Sequence, residues 1–434
     1  MSSLVAIVGR PNVGKSTLFN RILGEKRAII DDISGVTRDR IYGEGLWNGR
    51  RFSVVDTGGF VQNSDDVFES EIRSQVEIAI EEADVIIFMV DVTTGITDLD
   101  NDVAKMLRAV DKPIILVVNK VDNYARQLDA NEFWSLGFES THFMSSLTGS
   151  GSGEVLDEVV EMLPDKEPEP EKDIPRLAII GQPNVGKSSM VNALLGIERN
   201  IVTDIAGTTR DSIHTYYNKF GKEIYLVDTA GIRKKSKVHE DLEFYSVLRA
   251  IRAIDDADVC AIMIDATLGL EAQDMKLFRI VQERKKGVFI VVNKWDLVEK
   301  ETNTARDFEK TIKERLRPFD DVPVLFSSAT EKIRVMQILD TCLEIYKNKT
   351  QKFKTSELNK VLLPIIERTP PPTYRGNFIK IKYITQLPLS YPVFAFFCNH
   401  PTGIKQPYRL FLENQLRDIF NFTGVPIAVV FKQK

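Results

Sequence analysis

Short apolar runs alternate along most of the chain with longer stretches whose apolar residues recur at helical spacing. The first set of runs is LVAIVG, RFSVVD, DVIIFMVD and KPIILVVN, and a second set, RLAIIG, EIYLVD, DVCAIMID and GVFIVVN, follows in the same order. Continuous apolar runs are typical of strands buried on both faces, and intervening helices favour parallel pairing. The pattern predicts two α/β domains, each with a mainly parallel sheet covered by helices on both faces.

The two sets of runs repeat at a nearly constant distance. Gly9 and Gly181 lie 172 residues apart in equivalent contexts, and Asn119 and Asn293 lie 174 apart. A period of this length indicates duplication of a whole domain, because the units of solenoid proteins are only about 20–50 residues long. We therefore expect two copies of one domain.

Composition places the domain boundaries. The string PDKEPEPEKDIP separates the copies, and its prolines and charges favour an extended linker. We expect a first domain at residues 1–163, the linker at 164–175, a second domain at 176–348, and a basic connector with a smaller α+β domain at 349–434.

The last domain shows a different order of elements. Its pattern predicts a helix from Ser356 toward Arg368, strands FIKIKYI and VFAFFCN, a helix YRLFLENQLRDIF and a final strand IAVVFKQ. Pro364 predicts a kink or an early stop in the first helix. Alternation in FIKIKYI predicts one core face and one basic face. The core face would carry Ile379, Ile381 and Tyr383, and the basic face Lys380 and Lys382.

The chain has 434 residues, of which 43% are apolar and 27% charged, as in globular proteins. Its net charge of −5 is uneven, because residues 345–434 contain 14 Lys and Arg against 4 Asp and Glu. A basic terminal block is a candidate contact for a polyanion such as nucleic acid, and a solvated lysine-rich face is the alternative.

The three cysteines, Cys260, Cys342 and Cys398, lie too far apart in sequence to suggest a metal site or a disulfide framework, which fits a reducing compartment. The N-terminus lacks a signal-peptide pattern, and the apolar runs are too short to cross a bilayer. We expect a cytoplasmic protein with no membrane association.

Two glycine-rich strings carry the clearest chemistry. GRPNVGKST at 9–17 and GQPNVGKSS at 181–189 each follow a predicted strand and open a predicted helix, which is the context of a phosphate loop. Backbone amides would surround the phosphates, the lysine would meet the β- and γ-phosphates, and the serine would ligate Mg²⁺. The predicted nucleotide-binding residues are Gly9, Asn12, Val13, Gly14, Lys15, Ser16 and Thr17, and Gly181, Asn184, Val185, Gly186, Lys187, Ser188 and Ser189.

NKVD at 119–122 and NKWD at 293–296 indicate which base is bound. A carboxylate at the end of each string can accept from both the N1 proton and the 2-amino group of guanine, and adenine offers neither donor there. A phosphotransferase would need an acceptor site and would not explain two such strings. The predicted base-binding residues are Asn119, Lys120 and Asp122 in the first copy and Asn293, Lys294 and Asp296 in the second.

DTGG at 56–59 begins at the last residue of the apolar run RFSVVD, and DTAG at 228–231 begins at the last residue of EIYLVD. GVTRD and GTTRD precede these runs. The aspartates would hold Mg²⁺ through water, the last glycine amide would sense the γ-phosphate, and the threonine would complete the Mg²⁺ shell only with a triphosphate. The predicted Mg²⁺ ligands are Ser16, Thr37, Asp56, Ser188, Thr209 and Asp228. The predicted catalytic residues are Lys15, Thr37, Gly59, Lys187, Thr209 and Gly231.

Together these motifs resemble the translation-factor-related class of P-loop GTPases. Two such domains followed by a basic tail ending in ENQLRDIFNFTGVPIAVVFKQK resemble the Der (EngA) family of bacterial ribosome-assembly GTPases over essentially the whole chain. The resemblance implies GTP hydrolysis, a KH-like third domain, and action on the large ribosomal subunit and its rRNA. We expect a monomer. A GTPase of tRNA modification or of membranes is the alternative, although neither an amphipathic anchor nor a modification domain is recognisable.

Phe60 and Ile232 stand where many GTPases carry a water-orienting glutamine. In related GTPases with this apolar substitution, a phosphate-loop asparagine helps to hold a K⁺ ion, so the resemblance implies this catalytic role for Asn12 and Asn184. The family's Ser-Ala base loop is kept by Ser328 and Ala329. In the first copy we expect Ser146 and Leu147 in its place.

The third domain lacks the GXXG loop with which ordinary KH domains clamp nucleotides. We therefore expect contact with an RNA backbone or with a GTPase domain. The predicted surface is Tyr374, Arg375, Lys380 and Lys382, and the string RKKSK at 233–237 is a further basic patch.

Overall fold

A computed structural model describes residues 3–25, 42–56, 76–77, 79–164, 174–196, 214–227, 243–299 and 301–433. Several predicted features lie outside these residues. They are Thr37, Gly59, Phe60, Thr209, Asp228, Gly231, Ile232, the patch at 233–237 and most of the linker. The chain divides into two compact units, Met1–Glu169 with Leu242–Arg252, and Pro170–Asp241 with Ala253–Lys434.

The first GTPase-like domain is built on a six-stranded sheet in the order β2-β3-β1-β4-β5-β6. The strands are β1 Leu4–Val8, β2 Tyr42–Trp47, β3 Arg50–Asp56, β4 Val85–Asp91, β5 Ile114–Asn119 and β6 Ser140–Phe143. Its helices include α1 Lys15–Glu25, α2 Asp98–Arg108, α3 Tyr124–Asp129 and α4 Ser152–Met162. Among these strands the β2–β3 pair is antiparallel and the other pairs are parallel.

Alternate residues of β1 enter two separate cores. Val5 and Ile7 belong to one apolar cluster, and Ala6 and Val8 belong to another. This sheet is therefore covered on both faces, as its continuous apolar runs predict.

The second domain repeats this sheet, in the order β12-β11-β10-β7-β9-β8. Its strands are β7 Arg176–Gly181, β8 His214–Lys219, β9 Lys222–Val227, β10 Val259–Asp265, β11 Gly287–Asn293 and β12 Val324–Phe326. The helices along this part of the chain are α5 Lys187–Leu195, α6 Glu243–Asp256, α7 Ala272–Glu283, α8 Thr304–Leu316 and α9 Val335–Thr350. The boundary between the two compact units falls within α6, after Arg252. The equivalent strand order confirms the predicted duplication.

The third domain is a smaller α+β fold. It contains α10 Thr355–Arg368, β13 Ile381–Leu387, β14 Val393–Cys398, α11 Gln406–Ile419 and β15 Ala428–Gln433. In its sheet β14 pairs antiparallel with β13 and parallel with β15. The three-domain α/β and α+β architecture predicted from the sequence is confirmed.

Helix α10 continues through Pro364 to Arg368, as the predicted helix does, so the alternative of an early stop is excluded. The element that follows differs from the prediction. Strand β13 begins only at Ile381, and its pairing register shifts between Ile381 and Tyr383. Because this bulge breaks the alternation of faces, the buried side chain after Ile381 is Ile384, while Tyr383 is half-buried.

The third domain shares one continuous apolar core with the second domain. At their junction Val288 N donates to Gly424 O (2.7 Å), and Gly424 N donates to Asp321 O (2.8 Å). Gly424 has φ +72°, and a Cβ there would lie 2.8 Å from Val288 O. Glycine therefore allows this close backbone approach. Among the described residues, no helix is both long and apolar enough to cross a membrane.

Candidate nucleotide-binding sites

The first phosphate loop runs from β1 into α1 and passes close to the ends of β4 and β5. Gly9 has φ +147° and Gly14 has φ +105°. A Cβ on Gly9 would lie 2.2 Å from Met89 O, and one on Gly14 would lie 2.2 Å from Asn119 Nδ2. Both positions therefore require glycine, for backbone angle and for space.

The second phosphate loop is built in the same way. A Cβ on Gly181 would lie 2.3 Å from Met263 O of β10, and one on Gly186 would lie 2.3 Å from Asn293 Nδ2. Lys187 Nζ donates to the carbonyls of Gly181 (2.9 Å) and Gln182 (2.5 Å). The second copy thus keeps the complete loop geometry.

The phosphate-loop lysine is held by the loop itself. Lys15 Nζ donates to the carbonyls of Gly9 and Arg10, both at 2.8 Å. Burial lowers the pKa of Lys15 to about 8, although the Asp56 carboxylate opposes this shift and Arg10 adds to it. The carbonyls of the loop therefore orient the ammonium.

A hydroxyl and a carboxylate meet beside the first loop. Ser16 Oγ donates to Asp56 Oδ2 at 2.5 Å, and Asp56 is fully buried at the end of β3. Such hard oxygen ligands fit Mg²⁺. The structure therefore brings together two of the three ligands predicted for the first site. Of the ligands predicted for the second site, Ser188 lies among the described residues.

A buried asparagine joins the phosphate loop to a second loop in each copy. Asn119 Nδ2 donates to Val13 O (2.6 Å), and its Oδ1 accepts from Ser146 N (2.8 Å). In the second copy Asn293 Nδ2 donates to Val185 O (2.8 Å), and its Oδ1 accepts from Ala329 N (3.0 Å). The loop that the asparagine joins to the phosphate loop is called the first base loop (residues 144–150) in the first copy. Its counterpart in the second copy is called the second base loop (residues 327–333).

These bonds correct the predicted equivalence of the base loops. Ser146 N and Ala329 N meet the same asparagine oxygen, so Ser146 and not Leu147 is the equivalent of Ala329. Ser145 Oγ donates to Asp122 Oδ1 at 2.7 Å. The pairing of Leu147 with Ala329 was therefore wrong by one residue. The Leu147 side chain is 80% exposed.

Sequence reasoning missed an aspartate in each site. Lys120 and Lys294 have positive φ and form ion pairs with Asp91 and Asp265, which end β4 and β10. Burial raises the pKa of Asp91, but bonds from the lysine and from Thr93 outweigh it, so the net pKa lies below its usual value. The same balance lowers the pKa of Asp265. An aspartate ending each of these apolar runs was the available signal.

The first site has a further arginine at its base-binding edge. Arg126 donates to Lys120 O at 3.0 Å and forms a short ion pair with Asp122 Oδ2. The carboxylate predicted to read guanine therefore has two partners, Arg126 and Ser145.

The residue after the first glycine of each phosphate loop differs between the copies. Arg10 Nε contacts Asp100 Oδ2 at 3.3 Å, whereas Gln182 Nε2 donates to Asp274 Oδ2 at 3.1 Å. Both aspartates are buried near the start of a helix, α2 or α7. The donor to the buried aspartate is thus a charged guanidinium in the first copy and an uncharged amide in the second.

Comparison with known proteins agrees with this geometry. Residues 4–120 and 176–294 each match a family model described as 50S ribosome-binding GTPase. Residues 352–432 match a model of the C-terminal KH-domain-like region of EngA bacterial GTPase enzymes.

Full-length relatives agree. The chain is 55% identical over 434 residues to GTPase Der of Christiangramia forsetii and 56% identical over 434 residues to GTPase Der of Amoebophilus asiaticus, with 100% of both chains covered in each case. A solved structure of Era in complex with MgGDPNP and 16S ribosomal RNA is 22% identical, with a TM-score of 0.32, and covers 60% of this chain and 93% of its own. The family models and full-length relatives show that the chain belongs to the Der (EngA) family of tandem-domain, GTP-binding GTPases.

Proposed function

We propose that this GTPase acts in assembly of the large ribosomal subunit, and that its nucleotide state controls how its domains pack and whether it binds the particle. The observation that carries the proposal is that both GTPase domains match the model of 50S ribosome-binding GTPases. Because the KH-like domain shares a core with the second GTPase domain, a change in that domain can reach the KH-like domain through packed side chains.

The contact with rRNA would use the basic surface of the KH-like domain. Arg375, Lys380 and Lys382 are exposed, and the Arg375 guanidinium lies 5.3 Å from the ring centroid of Tyr374. Cations neutralise a phosphate backbone, and exposed rings can stack on bases. Phe378, 81% exposed, lies within the same segment. These features support RNA binding without a GXXG clamp.

Each nucleotide site would hold GTP through residues of its own domain. The phosphate-loop amides and Lys15 or Lys187 would bind the β- and γ-phosphates, and Asp122 or Asp296 would bind guanine. Ser16, Thr37 and Asp56, and their counterparts Ser188, Thr209 and Asp228, would hold Mg²⁺. When bound, Mg²⁺ neutralises charge that develops on the phosphates. The amides of Gly59 and Gly231 would contact the γ-phosphate.

A potassium ion would supply the positive charge that an arginine finger brings elsewhere. Asn12 and Asn184 support this assignment, because they are exposed at equivalent positions of the two phosphate loops and both have positive φ. Replacing K⁺ with Na⁺ should slow GTP hydrolysis. Equal rates in the two salts would exclude this role.

Co-sedimentation with ribosomal particles tests the proposed partner. We expect the protein to pellet with large-subunit particles in a nucleotide-dependent manner, with GTP, a non-hydrolysable analogue and GDP compared. The double variant Lys380→Glu/Lys382→Glu should lose binding. Arg306→Glu/Lys310→Glu changes the charge equally at exposed positions of α8, outside the KH-like domain and the nucleotide sites, and should retain it. Binding to tRNA or vesicles without particle binding would favour the alternative GTPase class.

A further inference from the structure

We infer that Arg21 is a positioning residue of the first nucleotide site, which ties the phosphate-loop helix α1 to the first base loop. The inference rests on the proposed assignment of that loop to guanine. It concerns an arginine that none of the nucleotide-binding motifs contains.

The guanidinium of Arg21 contacts two consecutive carbonyls of the loop. Nε donates to Ser146 O at 2.9 Å, and Nη2 donates to Leu147 O at 2.8 Å. Hydrogen bonds from an ionised donor are stronger than neutral ones, and a planar fork fixes orientation as well as distance. The backbone of the loop is therefore set relative to α1.

Gly149 makes this contact sterically feasible. Its φ is +90°, and a Cβ built there would lie 2.4 Å from Nη1 of Arg21. The guanidinium thus occupies the space that a side chain at this position would need. The equivalent residue of the second base loop is Lys332, which carries a side chain at φ +55°.

The position equivalent to Arg21 in the described helix α5 of the second domain is not an arginine. Arg21 lies six residues after the phosphate-loop lysine, and the residue six positions after Lys187 is Ala193. A methyl group cannot donate a hydrogen bond. At this described position of α5, the second site therefore lacks the link that Arg21 makes in the first.

Each base loop is also closed by two backbone hydrogen bonds. Ser328 N donates to Ile333 O (3.3 Å), and Ile333 N donates to Ser328 O (2.9 Å). In the first base loop Ser145 N donates to Ser150 O (2.9 Å), and Ser145 O accepts from Gly149 N (2.8 Å). Both base loops are thus closed by two backbone bonds, and Arg21 adds a side-chain link from α1 to the first.

Loss of Arg21 should affect nucleotide affinity more than the rate of hydrolysis. Helix α1 begins at Lys15, so Arg21 fixes the distance between the phosphate-binding and base-binding elements. Without it, nucleotide binding must also order the loop, which weakens affinity. Since GTP and GDP need the loop equally, KM should rise while kcat stays constant.

The test uses the full chain carrying Asp296→Asn, which keeps guanine nucleotides off the second site. Arg21→Ala should raise the Kd for GDP at the first site by about 10-fold and raise KM similarly, as expected for lost charge-assisted bonds. Arg21→Lys should fall between, because one ammonium cannot reproduce the fork. Arg50→Ala is the matched control, since Arg50 also holds carbonyls, those of Val160 (3.1 Å) and Leu163 (3.2 Å), away from the phosphate loop. It should leave Kd unchanged.

An unchanged Kd in folded Arg21→Ala would overturn the inference, and so would a fall in kcat at constant KM. Full recovery with lysine would show that charge alone matters and would also overturn it. If Arg21→Ala does not fold, Arg21→Lys decides, with native-like thermal unfolding as the check. Retention of GDP by Asp122→Asn in the same background would instead refute the proposed guanine site.

Discussion

The phosphate loops of the two GTPase domains share their glycines, their lysine and the asparagine behind them, but differ at the residue after the first glycine. Arg10 meets buried Asp100 with a charge, and Gln182 meets buried Asp274 with an amide. The backbone geometry is therefore conserved between copies while the side chains that brace it are not. Each copy thus keeps a contact to a buried carboxylate, made by a guanidinium in the first and by an amide in the second.

The base loops differ in the same manner. The first is held by Arg21 and has Arg126 at its carboxylate, whereas Ala193 occupies the position of Arg21 in the second. Two nucleotide sites of one ancestry have thus acquired different supports. We expect them to respond differently to equivalent substitutions.

The largest effect should come from the guanine-reading carboxylates. Asp122→Asn and Asp296→Asn should each lower GDP affinity at their own site by about 10⁴-fold, because a buried donor of guanine loses its acceptor. Xanthine nucleotides, which carry a carbonyl in place of the 2-amino group, should bind instead. Separate titrations with both nucleotides measure this, and unchanged GDP affinity in either variant would show that the pocket is misplaced.

Removal of the bridging asparagine should come next. Asn119→Ala deletes the buried bonds to Val13 and Ser146, so it should lower the free energy of unfolding by about 2–4 kcal/mol. Asn293→Ala should cost a similar amount, since its two bonds are equivalent. Urea unfolding of the two variants tests whether the copies share this element; a large effect in one copy alone would contradict the equivalence.

Substitutions of Arg10 distinguish the stability contributed by its charge from that contributed by its hydrogen bond to Asp100. Arg10→Ala leaves a buried carboxylate without its cation and should destabilise the protein by about 1–3 kcal/mol. Arg10→Gln imports the arrangement of the second copy and should cost less than about 1 kcal/mol. Thermal unfolding distinguishes them. Equal losses of stability in the two variants would mean that an uncharged amide cannot replace the guanidinium in the first loop.

The smallest effect concerns Arg126. Its ion pair with Asp122 is about one-third exposed on both sides, and such pairs contribute about 1 kcal/mol or less. Arg126→Ala frees the carboxylate and should raise GDP affinity at the first site by about 2- to 5-fold. A fluorescent GDP titration checks the direction. A loss of affinity would mean that Arg126 supports the bound state.

Sequence reasoning succeeded where backbone geometry demands a residue type. The glycines of both phosphate loops could be predicted because few residues tolerate those angles and contacts. The sheets followed from continuous apolar runs. The large elements of the fold were therefore predictable.

Sequence reasoning failed where the spacing between motifs differs between the copies, and where the partner of a side chain is a backbone carbonyl. The copies are offset by 172 residues at the phosphate loop but by 183 at the base loops, so matching residue types placed Leu147 one position out. Arg21 binds carbonyls, which leave no trace in side-chain identity. The bulge in β13 likewise shifts faces without a glycine or proline to mark it.

Calorimetric titration of the full chain with GDP, in the presence and absence of ATP, tests the central claim most directly. Two separately built guanine pockets predict two GDP molecules per chain and no competition from ATP. One GDP per chain, or displacement of GDP by an equal concentration of ATP, would contradict the account.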